Sequence, residues 1–258
     1  MKKNYSELFE KMHIAGKLAA KTLDELTLFV KPGVTTNLLD RICYEYIKDH
    51  DGNSAPLYYR GFPKSCCTST NHTVCHGIPS EKVLKDGDIM NVDVTAFVDE
   101  HHGDTGRMFC IGDVSVKSKN IVSATYESMM KAISIIKPGK KLGDIGATIQ
   151  DYVESKGLSV VRDFCGHGIG TIFHKPPTVL HYGKKNSGIT LESGMIFTVE
   201  PMINEGKYDI KILNDGWTAV TKDKTLSAQF EHTVGVTDKG FEIFTKSDKN
   251  FTQPPYSL

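Results

Sequence analysis

The chain carries no excess of either charge, since 31 Lys and Arg balance 31 Asp and Glu over 258 residues. With no net basic field, composition favours neither nucleic acid nor an anionic membrane as a partner. No apolar run reaches bilayer-spanning length, and Lys2, Lys3, Glu7, Glu10 and Lys11 interrupt the start, which leaves no secretory-signal core. The expected location is the cytoplasm. Cysteine is sparse, with six residues at 43, 66, 67, 75, 110 and 165 and no Cys-x-x-Cys pair. A chain of this length buries a core that needs no disulfides, so a reducing compartment is expected. A zinc cluster of Cys66, Cys67, Cys75 and His76 is set aside, because vicinal cysteines do not form the usual spaced hook. These thiols read as buried or pocket-lining.

What the chain does have is an internal repeat. Leu84 to Asp93 (LKDGDIMNVD) aligns without gaps on Leu191 to Glu200 (LESGMIFTVE), sharing Leu, Gly, Ile, Val and a terminal acid. Lys31-Pro32-Gly33 recurs as Lys137-Pro138-Gly139, and His76-Gly77-Ile78 as His167-Gly168-Ile169. Such a repeat signals a duplicated supersecondary unit whose copies face one another across a cleft. The predicted organisation is a single α+β domain, 1–258, made of pseudo-repeats of about 1–115 and 116–258. Leu8, Met12, Ala15, Ala19, Leu23 and Leu26 predict a first amphipathic helix and Asn37 begins a second. Glu127 to Ile136 and Leu142 to Ser155 repeat that pair, with Gly157 as a stop.

Residues 87 to 98 alternate, with Met90, Val92, Val94, Ala96 and Val98 on one face and Asn91, Asp93 and Thr95 on the other. A turn near Val98 to Glu100 returns the chain so that Asp104 falls opposite or diagonal to Asp93. Asp93, Asp104, His167, Glu200 and Glu231 thus form a candidate set of metal ligands distributed over both halves. Carboxylates with one imidazole suit hard or borderline divalent ions such as Mn²⁺, Fe²⁺, Co²⁺ or Zn²⁺. His167 lies in Cys165-Gly166-His167-Gly168-Ile169-Gly170, where small neighbours let a ligand approach.

Together VCHGIP (74–79), HGDT (102–105), GHGIG (166–170), FTVEP (197–201) and QFEHT (229–233) resemble a type I methionine aminopeptidase of bacterial form. The resemblance covers almost the whole chain and implies the pita-bread (creatinase/aminopeptidase) fold, with two pseudo-symmetric helix-plus-antiparallel-sheet halves around a central cleft. It also implies hydrolytic removal of N-terminal methionine when the second residue is small. Asp104 and Glu231 would bridge two ions, and His167 and Glu200 would complete one of them. An activated water would attack the scissile carbonyl with Glu200 as proton shuttle. His174 would stabilise the developing oxyanion, and His76 would contact the scissile amide.

The positions matching the methionine pocket are Tyr59, Phe62, Cys67, His76, Phe173 and Trp217, an aromatic and sulfur lining that suits a thioether. Phe62 stands where the family often has Tyr, and Pro56 where bacterial relatives commonly have Cys; both departures bear on the pocket rim. Asn71, Thr73 and Ser227 match a monovalent-cation loop through their backbone carbonyls. Nascent chains with a free N-terminal Met would be the substrates, met near the ribosome, and a monomer is the default state. Two rivals are a proline-specific peptidase of the same fold and a non-catalytic binding relative. Those peptidases usually carry an additional N-terminal domain, and the binding relatives typically lose metal ligands.

Overall fold

The computed structural model describes residues 5–256, and the basic start Met1-Lys2-Lys3 lies outside them. Helix α1 (Ser6–Leu26) buries Phe9, Met12, Ala15, Ala19, Leu23 and Leu26, at spacings that stack side chains along one face. Helix α2 (Thr36–Asp49) begins one residue before the expected Asn37. Its cap is Thr35, whose hydroxyl accepts the Leu38 N–H at 3.2 Å. There follow β1 (Asn53–Ser54), a 3₁₀ turn (Tyr59–Gly61), β2 (Cys67–Thr70) and β3 (Thr73–Cys75). The long hairpin β4 (Ile89–Val98) and β5 (His101–Cys110) turns at Asp99 and Glu100. Their φ values of 49° and 59° suit the twist of a two-residue hairpin loop.

The second half opens with α3 (Val116–Ser134) and α4 (Leu142–Glu154). Helix α3 starts at Val116 and not at the expected Glu127. The Ser115 hydroxyl caps it by accepting the Ser118 N–H at 3.1 Å, and in its first turn Val116 is exposed and the other residues are polar, so the apolar period becomes visible only from Ile121. Next come β6 (Ser159–Val160), β7 (Gly166–Gly168), β8 (Lys175–Val179), β9 (Ile196–Val199) and β10 (Met202–Asn204). The chain closes with β11 (Ile210–Ile212), β12 (Ala219–Thr221), β13 (Ser227–Gln229), β14 (Glu231–Val236) and β15 (Phe241–Ile243).

Local geometry recurs along with the repeated sequence. The Gly33 N–H donates to Leu84 O at 2.9 Å, and the Gly139 N–H donates to Leu191 O at 3.0 Å. Gly33 and Gly139 have φ values of 91° and 88°, and Gly87 and Gly194 of 90° and 87°, left-handed turns that glycine adopts without a steric penalty. The histidines of the third repeated motif differ. His76 leaves β3 with φ of 54°, whereas His167 stays within β7. What the two motifs share is the following glycine: a Cβ on Gly77 or Gly168 would lie 2.2 Å from the carbonyl oxygen of Thr68 or Pro176.

The main sheet runs β1-β4-β5-β14-β9-β7-β8, with β2 added to β4 and β15 to β14, and these neighbours pair antiparallel. Two three-stranded sheets, β13-β10-β6 and β11-β12-β3, flank it. Pairing of β5 with β14, Gly106 opposite Glu231 and Thr105 opposite His232, joins the halves. On one face Met90, Val92, Val94 and Ala96 pack with Leu23, Leu26, Leu39 and Ile47 of α1 and α2. In the second half Phe197, Val199, Phe230 and Val234 pack with Ile121, Met129, Ile145 and Ile149 of α3 and α4. Helix α1 sits so close to β5 that a Cβ on Gly103 would lie 2.3 Å from the Ala15 carbonyl carbon. The glycine of HGDT therefore serves helix packing. Asp93 and Asp104 project from the other face of the β4-β5 hairpin.

Candidate metal centre

Strand register assembles the acidic cluster. Cys67 pairs with Asp93, Asp93 with Gly106, and Gly106 with Glu231, giving one row across four strands. Gly106 lacks the side chain that would fill the middle of that row: a Cβ there would lie 3.4 Å from Glu231 Cβ. Asp104 pairs with Thr95, two residues on from Asp93, so the acids are diagonal neighbours, as the alternation predicts. Asp104, His167 and Glu231 place ligand atoms within 4.8 Å of one another. His167 Nε2 lies 3.6 Å from Asp104 Oδ2 and 3.7 Å from Glu200 Oε1.

Threonines two residues away along the strands hold these groups. Thr95 Oγ1 donates to Asp104 Oδ1 at 2.7 Å. Thr198 Oγ1 accepts the His167 N–H at 2.9 Å and donates to Glu200 Oε1 at 2.7 Å, tying two members of the set together. Thr233 Oγ1 donates to the Asp104 carbonyl at 2.7 Å. Gln229 Nε2 donates to Glu200 Oε2 at 3.4 Å, and buried His181 accepts the Glu200 N–H at 3.1 Å. None of these supporting residues was singled out from sequence. The threonines share a strand face with the acids, a two-residue offset that was available as a signal.

The electrostatics are those of acids crowded out of water. Burial first, then Asp104 and Glu200, push Asp93 well above the usual carboxylate range. Burial, then Asp104, Glu200 and Asp93, do the same to Glu231. Glu200 is raised by burial to about 7, against the pull of His167 and the Thr198 hydrogen bond. Burial opposes charge on His167, but its partners Asp104 and Glu200 lift it to about 9. Glu231 Oε1 is buried without a donor, which is costly unless a cation meets it. His167 donates Nδ1–H to the Gly168 carbonyl at 3.1 Å, which leaves Nε2 toward the acids, the arrangement of a ligating imidazole. Four carboxylates and one imidazole with an orphaned oxygen fit hard or borderline divalent ions.

The site opens into a cavity of about 320 Å³. Every residue expected at the site lines it: Tyr59, Phe62, Cys67, His76, Phe173, His174 and Trp217 beside the four acids and the imidazole. Pro56 lines it too, as expected of a rim position, as do the thiols Cys75 and Cys165, whereas Arg60, Phe164 and Met202 are additions. Phe62 meets Trp217 edge-on at 5.2 Å, and His76 stands edge-on to Phe164 at 5.3 Å. Cys67 and Cys75 are buried thiols, raised well above their usual range first by burial and next by the nearby acids. His174 Nδ1 lies 3.0 Å from the Tyr59 hydroxyl, and the ring packs on Phe173 at 4.0 Å and His167 at 4.2 Å. His174 stays exposed as a residue, but the partial desolvation of its ring, helped by His167, lowers its pKa to about 4. Away from the acids, the Ser227 N–H donates to the Asn71 carbonyl at 2.8 Å, and Thr73 pairs with Val220 on β12. A larger groove of about 680 Å³ runs beside α3. Its Lys117 is paired with Glu205 at 3.2 Å, and it gathers no comparable ligand set.

A duplicated α+β fold whose cleft collects acids and an imidazole beside an aromatic and thiol slot defines a metal-dependent hydrolase. Residues 10–238 match the model for Metallopeptidase family M24, and the chain belongs to that family, within its methionine aminopeptidase branch. A methionine aminopeptidase of Rickettsia prowazekii (strain Madrid E) is 58% identical over 249 residues, 96% of each chain. The crystal structure of a methionine aminopeptidase from Rickettsia prowazekii superposes with a TM-score of 0.92 at 58% identity, covering 93% of this chain and 97% of that one. A prolidase from Pyrococcus furiosus has a TM-score of 0.75 at 20% identity, covering 94% of this chain and 65% of that one. At that identity the likeness shows the shared fold alone. Family membership brings use of a divalent metal. Among the described residues no helix is long and apolar enough to cross a membrane.

Proposed function

We propose that the enzyme removes the N-terminal methionine from polypeptides whose second residue is small. Asp93, Asp104, His167, Glu200 and Glu231 would hold two divalent ions. The observation that carries this reading is the meeting, in one cavity, of the five ligand-type groups with Tyr59, Phe62, Cys67, Phe173 and Trp217. When bound, the ions offset the clustered carboxylates, polarise the scissile carbonyl and lower the pKa of an attacking water.

The chain's own groups do the rest. Glu200, raised to about 7, accepts the water proton and passes it to the departing amine. Thr198 and Gln229 fix its two oxygens during that transfer. His174 donates an N–H to the negative charge growing on the carbonyl oxygen, and its low pKa keeps the ring neutral at working pH. His76, held edge-on to Phe164, contacts the amide side. Asp93 receives the free α-amine. The aromatic and thiol wall rewards a flexible thioether. A bulky second residue would meet the cleft histidines and push the carbonyl out of line, so selection there is by exclusion.

The cellular substrate is then the nascent chain, met near the ribosome in the cytoplasm after any formyl group has been removed. Mn²⁺, Fe²⁺, Co²⁺ and Zn²⁺ all suit the ligand set, and a monovalent cation would bind carbonyl oxygens of Asn71, Thr73 and Ser227. Within this reading the chain is a monomeric single domain whose halves divide near residue 115.

The test compares initial rates on Met-Ala-Ser, Met-Lys-Ser, formyl-Met-Ala-Ser and Leu-Ala-Ser, with each of the four metals. Only the first should be turned over well. Equal rates for Ala and Lys at the second position, or cleavage of the formylated peptide, would overturn the specificity assignment.

A further inference from the structure

We propose that the Tyr59 hydroxyl fixes the tautomer of His174, so that the ring nitrogen left to the cleft carries the proton. Tyr59 is then a positioning residue as well as a pocket wall. The inference rests on the reading of His174 as the donor to the carbonyl oxygen. A neutral imidazole has one N–H, on either nitrogen, and the other nitrogen is an acceptor. Only the form protonated at the nitrogen facing the substrate stabilises negative charge there, and an imidazole held in the wrong tautomer is a poor catalyst.

His174 Nδ1 lies 3.0 Å from Tyr59 Oη. Either the phenol donates to a bare Nδ1, leaving the proton on Nε2, or Nδ1–H donates to the phenol, leaving a lone pair on Nε2. Two observations select the first. Among the described residues the Tyr59 hydroxyl has no other hydrogen-bond partner, so donating to Nδ1 is the one protein bond its proton makes. In addition, the Arg60 guanidinium lies 5.3 Å from the Tyr59 ring centroid. A cation over the ring draws density from the phenol, which makes the O–H a stronger donor and the oxygen a weaker acceptor.

The backbone is bent to achieve this. Tyr58 and Arg60 have φ of 67° and 48°, left-handed values that side chains rarely adopt and that cluster at functional sites. The ring is held from its other sides too. Phe173 packs on His174 at 4.0 Å, and His102 stacks on Phe173 at 5.3 Å and 10°. His102 in turn donates Nδ1–H to the Gly170 carbonyl at 2.8 Å. With the ring so confined, the Tyr59 bond decides which nitrogen bears the proton.

The test is ¹⁵N imidazole NMR on the full-length chain, metal-free and loaded with diamagnetic Zn²⁺, with the signals assigned by His174→Ala. In the wild type, His174 should show a bare Nδ1 and a protonated Nε2. Tyr59→Phe should shift the ring to a tautomer mixture, and Arg60→Gln should shift it less in the same direction. Kinetically, Tyr59→Phe keeps the ring against the methionine and should lower kcat about tenfold with KM for Met-Ala-Ser unchanged. Metal stoichiometry of the variant reports an intact fold. An unchanged tautomer in Tyr59→Phe, or a raised KM with kcat intact, overturns the proposal. The reading of His174 fails separately, if His174→Ala retains its turnover.

Discussion

If the cluster exists to hold cations, then without them it should weaken the protein, and Glu231→Gln tests this. Glu231 is 2% exposed, sits in the row with Asp93 and Gly106, and has one carboxylate oxygen without a donor. Its pKa is raised in the fold by burial and by Asp104, Glu200 and Asp93. A raised carboxyl pKa means that the folded state holds a proton that the unfolded chain has released. Its contribution to stability is present below the unfolded pKa and is lost as pH rises through the folded one. Metal-free enzyme therefore carries a penalty at pH 7.5 that is absent near pH 4.

Glutamine removes this penalty, and its amide can donate to the neighbouring acids. Relief of one unsatisfied buried polar group is worth about 1–3 kcal/mol. For a chain of this size that raises Tm by roughly 2–10 °C. In chelator at pH 7.5, Glu231→Gln should thus melt above the wild type, with the gap closing toward pH 4. With Mn²⁺ at about 100 times Kd the wild type gains about 2.7 kcal/mol, while the variant, lacking one candidate ligand carboxylate, gains much less and the order reverses. Calorimetry at the two pH values, with and without Mn²⁺, reads every part of this. A metal-free variant less stable than the wild type at pH 7.5 would refute the reasoning and make Glu231 a structural carboxylate.

His174→Ala should lower kcat by on the order of 10²-fold, the usual cost of losing an oxyanion donor, with bound metal near wild-type level by atomic emission; unchanged kcat would make the ring structural. Gly103→Ala puts a Cβ 2.3 Å from the Ala15 carbonyl carbon, so α1 must lift from β5 at a cost of about 3 kcal/mol or more, measured by denaturant titration. Buried His181 has its pKa lowered to about 3 by burial, so it contributes stability above its unfolded value of about 6.5 that is lost as pH falls through 3. His181→Gln should flatten the acid limb of the stability curve by up to about 1.4 kcal/mol per pH unit between 6.5 and 3; an unaltered limb would show that His181 takes up no extra proton on unfolding.

The parts of this fold that were legible in sequence are those that the strand period and the repeat control. Alternation along residues 87 to 98 placed Val92, Val94 and Ala96 under the helices and Asp93 on the opposite face, and the hairpin geometry then put Asp104 one diagonal away. The two matched acids arrive at the cleft because each follows the same glycine turn and strand, at Gly87 and Gly194. Amphipathic periodicity reports burial and so misses the start of α3, whose first turn at Val116 to Lys119 packs little; the Ser115 cap marks that start. Tertiary registers were harder to see. Nothing local tells that Gly106 leaves a gap between Asp93 and Glu231, since that depends on β5 pairing with both β4 and β14. Gly103, two residues before it, serves the opposite face by admitting α1. The Tyr59 to His174 contact links residues 115 apart through a strained turn and an aromatic stack, and no periodicity encodes such a meeting. The candidate ligands Asp93 and Glu200 recur with the repeat, whereas the residues that aim them are set by packing between the halves. A reading of sequence alone therefore recovers which groups meet in the cleft sooner than it recovers what holds them in line.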